Sequence, residues 1–257
     1  MINTYYARAE KLGIKVMYDA KVDGLEVEDG LFKGAEIVTN DHKDKVSGRS
    51  IVIASGGFEA NINWLKEYWG DAANNFIIRG SRFNDGRVLK MLMQLGAKTT
   101  GDPREMHAVA VDARSPVFDC GIISRMDSLP LGIVVNKLGR RFYDEGEDLW
   151  PKRYAIWGKL IAEQPDQIAY SIIDCKVLGK FLPPLFDALK SDTIQGLAKL
   201  LDVDRATFAE TVSAFNSHVS SNSSSFNPRI LDECKTTGLE PPKSHWAIPL
   251  DAPPFLA

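Results

Sequence analysis

Near the N-terminus the apolar positions change from a helical to a strand-like spacing. From Ile2 to Leu12 an apolar residue recurs every three or four positions, which predicts an amphipathic helix that Gly13 ends. Three short apolar runs then predict a small antiparallel meander, and the polar stretch Asn40 to Ser47 predicts a turn. The three runs span Ile14 to Tyr18, Val22 to Val27 and Leu31 to Val38, and the turns between them fall at Asp23-Gly24 and Asp29-Gly30.

The segment Ser50 to Gly57 joins a strongly apolar run to small residues and a glycine pair. A short continuous apolar run is typical of a strand that is buried on both faces. Glycine at the end of a strand lets another backbone or a ligand come very close, because no side chain stands between them. We therefore predict a buried strand whose end is a point of close contact.

Farther along the chain, helical and strand-like patterns alternate without an internal repeat. Predicted strands cover residues 106–111, 132–135 and 167–173. Predicted helices cover residues 61–69 with Asn61 as N-cap, the stretch between Gly86 and Gly96, and residues 152–163, 197–201 and 204–219. The last of these has Phe208, Val212 and Phe215 at helical spacing, so it packs against a core. This mixture predicts an α+β (mixed α/β) fold.

Length and charge narrow the class of protein. The chain has 257 residues and a net charge of -3, from 31 Lys and Arg against 34 Asp and Glu. This length suits one large domain or two ordinary ones, and the charge excludes the basic surface that a nucleic acid or an anionic membrane requires. No apolar stretch could span a bilayer, and the N-terminus lacks the layout of a signal peptide. We therefore predict a cytoplasmic protein that acts on small molecules.

Sequence motifs for several common chemistries are missing. No two of the 20 glycines lie two residues apart, so the Gly-x-Gly turn that cradles a dinucleotide pyrophosphate is absent. Walker, His-Glu-x-x-His and Gly-x-Ser-x-Gly motifs are absent as well, and the four histidines show no metal-ligand spacing. No metal site is predicted. The cysteines, Cys120, Cys175 and Cys234, are more than fifty residues apart and are interpreted as ordinary thiols.

Arginine is the residue that stands out. Nine of the thirteen arginines lie between Arg79 and Arg153. Because guanidinium binds carboxylates through paired hydrogen bonds, this density points to an anionic substrate; surface ion pairs are the equally weighted alternative. His107 interrupts an apolar run, which is typical of a core histidine, but its neighbour Arg104 favours a functional role.

The order of several motifs resembles the fumarate reductase/succinate dehydrogenase flavoprotein family. Ile51 to Glu59 is similar to the strand and ATGG turn of two-dinucleotide-binding flavoproteins, and Asn84-Asp-Gly86 is similar to the following GDG helix start. Ile133 to Glu145 looks like the family's LVN…G.RF.NE segment. The stretches Glu145 to Lys176 and Leu239 to Phe255 look most like its tricarballylate dehydrogenase branch.

The resemblance covers almost the whole chain but only the middle of full-length family members, so it implies an internal fragment. It implies a partial FAD-binding domain over residues 1–82 that lacks the N-terminal Gly-rich βαβ unit. A capping domain would follow over residues 83–248, and residues 249–257 would return toward an absent C-terminal FAD-binding segment. FAD is the implied cofactor of the parent protein, and we expect this chain alone not to retain it.

The resemblance also implies roles for individual residues. Cofactor contacts would come from Val22 near the adenine and from the small-residue turn Ala54, Ser55, Gly56 and Gly57. His107 would bind a substrate carboxylate, and Ser124 with Arg125 would stand where the family has a Thr-Glu pair that holds substrate and relays a proton. Arg125 would then anchor a carboxylate, with Arg104 as a further substrate-binding residue.

The family's acid is an arginine at the position of Leu149. Arg153 lies one helical turn further on and would present its guanidinium to a similar place if the helix has begun at Leu149. Arg153 and Arg125 are therefore the predicted catalytic residues.

The implied reaction is the FAD-dependent dehydrogenation of a polycarboxylate, from tricarballylate to an aconitate or between a succinate-like and a fumarate-like acid. An electron-accepting redox protein would be its partner. Two alternatives stay open: a non-catalytic capping-domain remnant that binds carboxylates, and a 3-ketosteroid dehydrogenase-like flavoenzyme. The arginine density argues against an apolar steroid pocket.

Overall fold

The computed structural model describes residues 1–40, 42–119, 123–220 and 225–257. The chain divides into two compact units and passes between them three times. Unit 1 consists of Met1–Asn61 and Phe83–Thr100, and unit 2 consists of Ile62–Arg82 and Gly101–Ala257. The assignment of residues 1–82, 83–248 and 249–257 to functional domains stays a prediction.

The secondary structure confirms the predicted α+β class. In the described residues the helices are α1 Ile2–Lys11, α2 Ile62–Trp69, α3 Arg87–Gln94, α4 Trp150–Arg153, α5 Trp157–Ala162, α6 Ile194–Leu201 and α7 Arg205–His218. The strands are β1 Ala20–Glu28, β2 Leu31–Thr39, β3 His42–Ser47, β4 Ile133–Asn136, β5 Ala169–Asp174, β6 Lys190–Ser191 and β7 Phe255–Leu256. None of these helices is both long and apolar enough to cross a membrane.

Unit 1 contains the predicted antiparallel meander, in the order β1-β2-β3. Asp29 and Gly30 have φ values of 52° and 74°, the left-handed pair that a tight hairpin turn requires. Asp23-Gly24 is not a turn, because the register shift at this point is absorbed within β1. The third strand is His42–Ser47 rather than Ile14 to Tyr18, and its six residues are all exposed. An edge strand with two exposed faces has no apolar alternation, which is why the sequence pattern indicated a turn.

The predicted buried strand at Ser50 to Gly57 is wrong for this structure. The segment has no assigned secondary structure, and no strand of the described residues pairs with it. Val52 is 90% exposed. An apolar run becomes a strand only where a neighbouring strand accepts its backbone hydrogen bonds, and the run itself does not supply that neighbour.

Helices α1 and α3 form where the apolar spacing predicted them, and each is followed by a glycine with positive φ, Gly13 and Gly96. Neither helix buries a residue. The buried apolar residues of unit 1, among those described, are Ala35 and Ile37 of β2. Many large apolar side chains of unit 1 are exposed instead, among them Tyr5, Leu12 and Leu95.

Unit 2 holds the main hydrophobic core. Its sheet has the order β4-β5-β7-β6 with antiparallel pairing throughout, and all four residues of β4 are buried. Helix α7 buries Phe208, Val212 and Phe215 against this core, as its spacing predicted. Asp204 caps the helix by accepting a hydrogen bond from the Thr207 amide at 2.8 Å.

Two predicted elements of unit 2 are absent or broken. Residues 106–111 form no strand, although Val111 makes an isolated bridge with Arg125. The predicted helix 152–163 is interrupted by a 3-10 turn at Tyr154–Ile156. The reason lies in Ala108, whose amide donates to the Ala155 carbonyl at 2.8 Å and whose carbonyl accepts from the Gly158 amide at 2.8 Å.

The cysteine prediction is confirmed where it can be compared. Cys175 is half-buried and Cys234 is buried, with the Ser225 hydroxyl oxygen 3.5 Å from the Cys234 sulfur. Burial raises the pKa of the Cys234 thiol. Cys120 lies outside the described residues.

A buried ionic network joins β4 to the C-terminal segment of unit 2. The Arg141 and Glu145 side chains are 4% and 0% exposed, and their closest N–O distance is 2.6 Å. Glu145 also accepts a hydrogen bond from the Val134 amide at 2.8 Å. Arg141 donates to the Pro241 carbonyl at 2.7 Å. Glu145 therefore links strand β4 to Arg141, and Arg141 in turn links Glu145 to the segment that contains Pro241.

Lys243 belongs to the same region and is completely buried. Its Nζ donates to the carbonyls of Pro130 at 2.7 Å and Gly132 at 2.8 Å. Burial lowers the pKa of Lys243 from 10.5 to about 8, and the nearby Glu145 charge opposes this shift only in part. Burial removes water from the ammonium group, and the lost solvation disfavours its charged form.

We expect the stability of unit 2 to rise between about pH 8 and about pH 10 relative to a Lys243→Met variant. In this range the unfolded Lys243 still binds a proton that the folded form has lost, so raising the pH favours the folded state, by up to about 3 kcal/mol in total. Urea unfolding of both proteins across this range measures the difference. A difference that stays constant or falls as the pH rises would contradict the expectation.

Candidate functional site

In unit 1 the small-residue turn, Ala54 to Gly57, lies against the Asn84-Asp-Gly86 loop. Gly56 has a φ of 78°, and a Cβ atom added there would lie 3.1 Å from Asn84 Nδ2. Asn84 donates to Glu59 Oε1 at 2.6 Å, and the Ala60 amide donates to the Asn84 carbonyl at 3.0 Å. Glycine therefore suits position 56 through its left-handed φ, and an added Cβ atom would crowd the Asn84 side chain.

The loop is fixed on its other side as well. Asp85 accepts hydrogen bonds from the Arg87 amide at 3.0 Å and from Arg87 Nη2 at 2.8 Å. The Asn61 side chain donates to the Asp85 carbonyl at 3.1 Å. Gly86 then begins α3 in the left-handed conformation, with a φ of 75°.

The predicted cofactor residues of unit 1 differ in their surroundings. Ala54, Ser55 and Gly56 are exposed, and Gly57 is half-buried. Val22 is half-buried within β1 and pairs with Ile37. The turn thus presents small side chains and accessible backbone, an arrangement that suits contact with a flat ligand.

In unit 2 two of the predicted substrate residues contact the same aromatic ring. The His107 ring centroid lies 5.3 Å from that of Tyr154, with the rings at 71°. The Arg125 guanidinium carbon lies 4.8 Å from the Tyr154 centroid. His107 is exposed, so the alternative of a core histidine is excluded.

Two further side chains hold Arg125 in place. Asp127 accepts from Arg125 Nε at 2.6 Å and from Nη2 at 2.9 Å. The Trp150 indole donates to the same carboxylate at 2.7 Å. The hydrogen bonds to Asp127 raise the pKa of Arg125. Arg125 is therefore a permanent, well-oriented cation whose charge is already balanced by a carboxylate.

His107, Arg125, Asp127, Trp150 and Tyr154 form a side-chain cluster in unit 2. Backbone hydrogen bonds and close packing hold Ser124 and the segment that carries His107 in place. Ser124 is buried, and its carbonyl accepts from the Asp112 amide at 2.9 Å. A Cβ atom added at Gly158 would lie 2.8 Å from the Ala108 Cβ, so only glycine lets α5 approach the residue after His107 this closely. The segment that carries His107 is thereby fixed against α5.

Arg104 occupies a different environment. Its guanidinium carbon lies 5.1 Å from the Trp69 ring centroid, and its amide donates to Asp102 Oδ1 at 2.8 Å. Within the described residues, no side-chain contact joins Arg104 to His107 or Arg125. Its predicted substrate-binding role stays a prediction.

Arg153 is committed to an ion pair. It donates to Glu147 and, at 2.9 Å, to the Tyr143 hydroxyl. Burial lowers the pKa of Arg153, but the hydrogen bonds to Glu147 and Tyr143 outweigh burial and raise it overall. Leu149 has a ψ of 129° and precedes α4, so the helical-turn argument that related Arg153 to this position does not apply.

The arginine density of the sequence is largely accounted for by internal pairing. Five of the nine arginines between Arg79 and Arg153 form ion pairs with nearby acids. These pairs are Arg87–Asp85, Arg114–Asp112, Arg125–Asp127, Arg141–Glu145 and Arg153–Glu147. Counting arginines therefore overestimates the positive charge that a substrate meets.

Sequence reasoning missed Asp127, Trp150 and Tyr154. The only signal was the aromatic spacing of Trp150 and Tyr154, four residues apart and on one face of a helix. In the structure these two rings lie 6.2 Å apart. Asp127 gave no signal, because an acid two residues after an arginine is common on any polar surface.

The chain is similar to known proteins in both sequence and fold. The model of a family described as FAD binding domain matches residues 1–244. The chain is 27% identical over 217 residues to the NADH:fumarate oxidoreductase of Klebsiella pneumoniae (strain 342), covering 81% of this chain. It spans 22% of the length of that relative.

Solved structures share the fold. A flavocytochrome c3 fumarate reductase in an open conformation aligns with a TM-score of 0.64 and 21% identity, over 99% of this chain and 42% of that one. The 3-ketosteroid delta1-dehydrogenase of Sterolibacterium denitrificans aligns with a TM-score of 0.68 and 19% identity, over 96% and 48%. At these identities the likeness concerns the fold alone.

Proposed function

This chain belongs to the FAD binding domain family, and from that premise we propose that it forms part of an FAD-dependent oxidoreductase acting on small carboxylates. The observation that carries the proposal is the convergence of His107 and Arg125 on the Tyr154 ring. An imidazole and a guanidinium are groups that bind carboxylates, whereas a steroid requires an apolar surface. The relative with 27% identity carries fumarate in its name, which supports the same substrate class.

Within that class we propose a di- or tricarboxylate such as fumarate or tricarballylate. Arg125 would bind one carboxylate through the N–H groups that Asp127 does not use, and His107 would bind a second. Ser124 supports this pair through its backbone. The proposal assigns Arg153 no proton-transfer step, because Glu147 and Tyr143 already hold its guanidinium.

The residues present do not form a complete FAD site. The turn Ala54 to Gly57 offers exposed small residues for contact with a flat ring. No Gly-x-Gly turn exists in the sequence to hold the pyrophosphate.

We expect the purified chain to retain at most about a tenth of an equivalent of flavin after it is mixed with FAD and desalted, because tight dinucleotide binding depends on backbone amides around the phosphates. Visible absorbance measures the retained flavin. A stoichiometric flavin spectrum after desalting would contradict this expectation and place the phosphate-binding groups elsewhere in the chain.

The carboxylate proposal is tested by titrating the chain with tricarballylate and fumarate in a calorimeter. Arg125→Ala is expected to weaken binding by about tenfold or more, because it removes a charge-assisted hydrogen-bond donor. Arg114→Ala is the matched control, since Arg114 also pairs with an acid two residues away and lies outside the cluster. Equal losses in the two variants, or binding of androstenedione in preference to both acids, would refute the proposal.

A second candidate function is carboxylate binding without redox chemistry. It rests on the same contacts of His107 and Arg125 with the Tyr154 ring, all of which lie within unit 2. Thermal unfolding separates ligand binding from catalysis, because a ligand at a hundred times its Kd stabilises by about 2.7 kcal/mol whether or not flavin is present. Stabilisation by tricarballylate without any flavin-dependent turnover supports this second candidate.

A further inference from the structure

Tyr154 stands at the centre of the unit 2 cluster. Its ring contacts His107, Arg125 and Trp150, with centroid distances of 5.3, 4.8 and 6.2 Å. His107 and Arg125 can be no farther apart than their two distances to this ring combined. The two groups are therefore near enough for one small ligand to contact both beside the ring that they share.

The position of Tyr154 is fixed by the backbone around it. Ala155, the next residue, accepts a hydrogen bond from the Ala108 amide at 2.8 Å, and Gly158 donates to the Ala108 carbonyl at 2.8 Å. Ala108 follows His107 and Ala155 follows Tyr154, so these hydrogen bonds link the backbone beside His107 to the backbone beside Tyr154. The ring is thus held in place before any ligand binds, which lowers the entropic cost of binding.

The hydroxyl of Tyr154 is not used in this arrangement. No described residue forms a hydrogen bond with it, and the side chain is half-buried. The hydroxyl of Tyr170, in contrast, donates to the Leu201 carbonyl at 3.2 Å. A phenol donates one hydrogen bond without adding charge. Since Asp127 already neutralises Arg125, a neutral donor beside it strengthens anion binding without creating an unpaired cation.

We propose that the Tyr154 hydroxyl is a third substrate-binding group, which donates a hydrogen bond to a carboxylate oxygen of a small di- or tricarboxylate. This inference rests on the proposed carboxylate site and adds a residue to it. No bond is made or broken in this step, and the phenol keeps its proton. The ring supports His107 and Arg125, and the hydroxyl contributes to affinity and to the choice of an anionic over a neutral ligand.

Tyr154→Phe tests the proposal, because it keeps the ring and removes only the hydroxyl. We expect tricarballylate binding, measured by calorimetry, to weaken by about 10- to 100-fold, the range for a hydrogen bond to a charged group. Tyr170→Phe is the control, since its hydroxyl already has a backbone partner, and we expect its affinity to stay within about twofold of the original chain. Thermal unfolding checks that both variants remain folded.

The outcomes separate this inference from the function on which it rests. Weaker binding in Tyr154→Phe with an unchanged control supports the inference. Binding in the original chain that is the same in Tyr154→Phe overturns it and leaves the carboxylate site standing. If the original chain binds neither tricarballylate nor fumarate, both the proposed function and this inference are overturned. Should Tyr154→Phe unfold, the ligand-induced change in the Tyr154 ring resonances of the original chain decides, and no change would overturn the proposal.

Discussion

Replacing Glu145 with alanine is expected to lower the free energy of unfolding of unit 2 by about 3–5 kcal/mol. The substitution leaves the Arg141 guanidinium buried without its carboxylate, and it removes the acceptor of the Val134 amide. It also takes from the buried Lys243 ammonium the largest of the negative charges that oppose its desolvation. A buried guanidinium that has lost its paired carboxylate costs far more than a lost surface contact.

Chemical denaturation followed by tryptophan fluorescence is the appropriate measurement. All five tryptophans lie in unit 2, so the signal reports on this unit. Lys137→Ala is the control, because its pair with Asp166 has a similar N–O distance of 2.6 Å but side chains 41% and 62% exposed. The control is expected to lose at most about 1 kcal/mol. A loss below that value in Glu145→Ala would show that the buried network does not stabilise the fold.

Gly132→Ala is expected to destabilise unit 2 by more than about 3 kcal/mol, at or beyond the upper end for an overpacked core. A Cβ atom added at Gly132 would overlap the carbonyl oxygen of Ile172 and lie 2.8 Å from Ile173 Cγ2. A backbone carbonyl in β5 cannot rotate away as a side chain can. Relief would require the start of β4 to move away from β5.

The control for this substitution is Gly179→Ala. Gly179 has a φ of 76° but no atom within 4 Å of an added Cβ, so only backbone strain of about 1–2 kcal/mol is expected. The two variants are compared by the same fluorescence-monitored denaturation. Equal losses would mean that the tight packing at Gly132 relaxes freely, and the steric argument would fail.

Elements with a strong local pattern were predictable from the sequence. Helix α7 formed with Phe208, Val212 and Phe215 buried, because a helical apolar stripe has to find a core wherever the helix lies. The hairpin at Asp29-Gly30 formed because its left-handed conformations belong to those residues themselves. Both depend on interactions between residues a few positions apart.

Elements that depend on distant partners were not predictable. The run Ser50 to Gly57 has the composition of a core strand, yet Val52 is 90% exposed because no strand lies beside it. The predicted helix 152–163 breaks at Tyr154–Ile156, where Ala108 takes up the backbone groups. In both cases the backbone hydrogen bonds determine the secondary structure, and the partners in those bonds are far away in sequence.

The candidate site follows the same division. Residue type and motif order identified His107, Ser124 and Arg125 one by one, and they associated the chain with a flavoprotein family. Only the tertiary structure showed that His107 and Arg125 share the Tyr154 ring and that Asp127 neutralises Arg125. It also showed that Arg153 belongs to an ion pair.

Residue order alone was therefore enough to predict the fold class, the Asp29-Gly30 hairpin, helices such as α7, and the chemical character of the residues. The tertiary structure decided which apolar runs are buried and which charges remain available to a ligand. The physical reason is that the free energy of a side chain depends on its neighbours. A guanidinium that would attract a substrate in isolation is neutralised when a carboxylate lies within hydrogen-bond distance, and composition does not contain that distance.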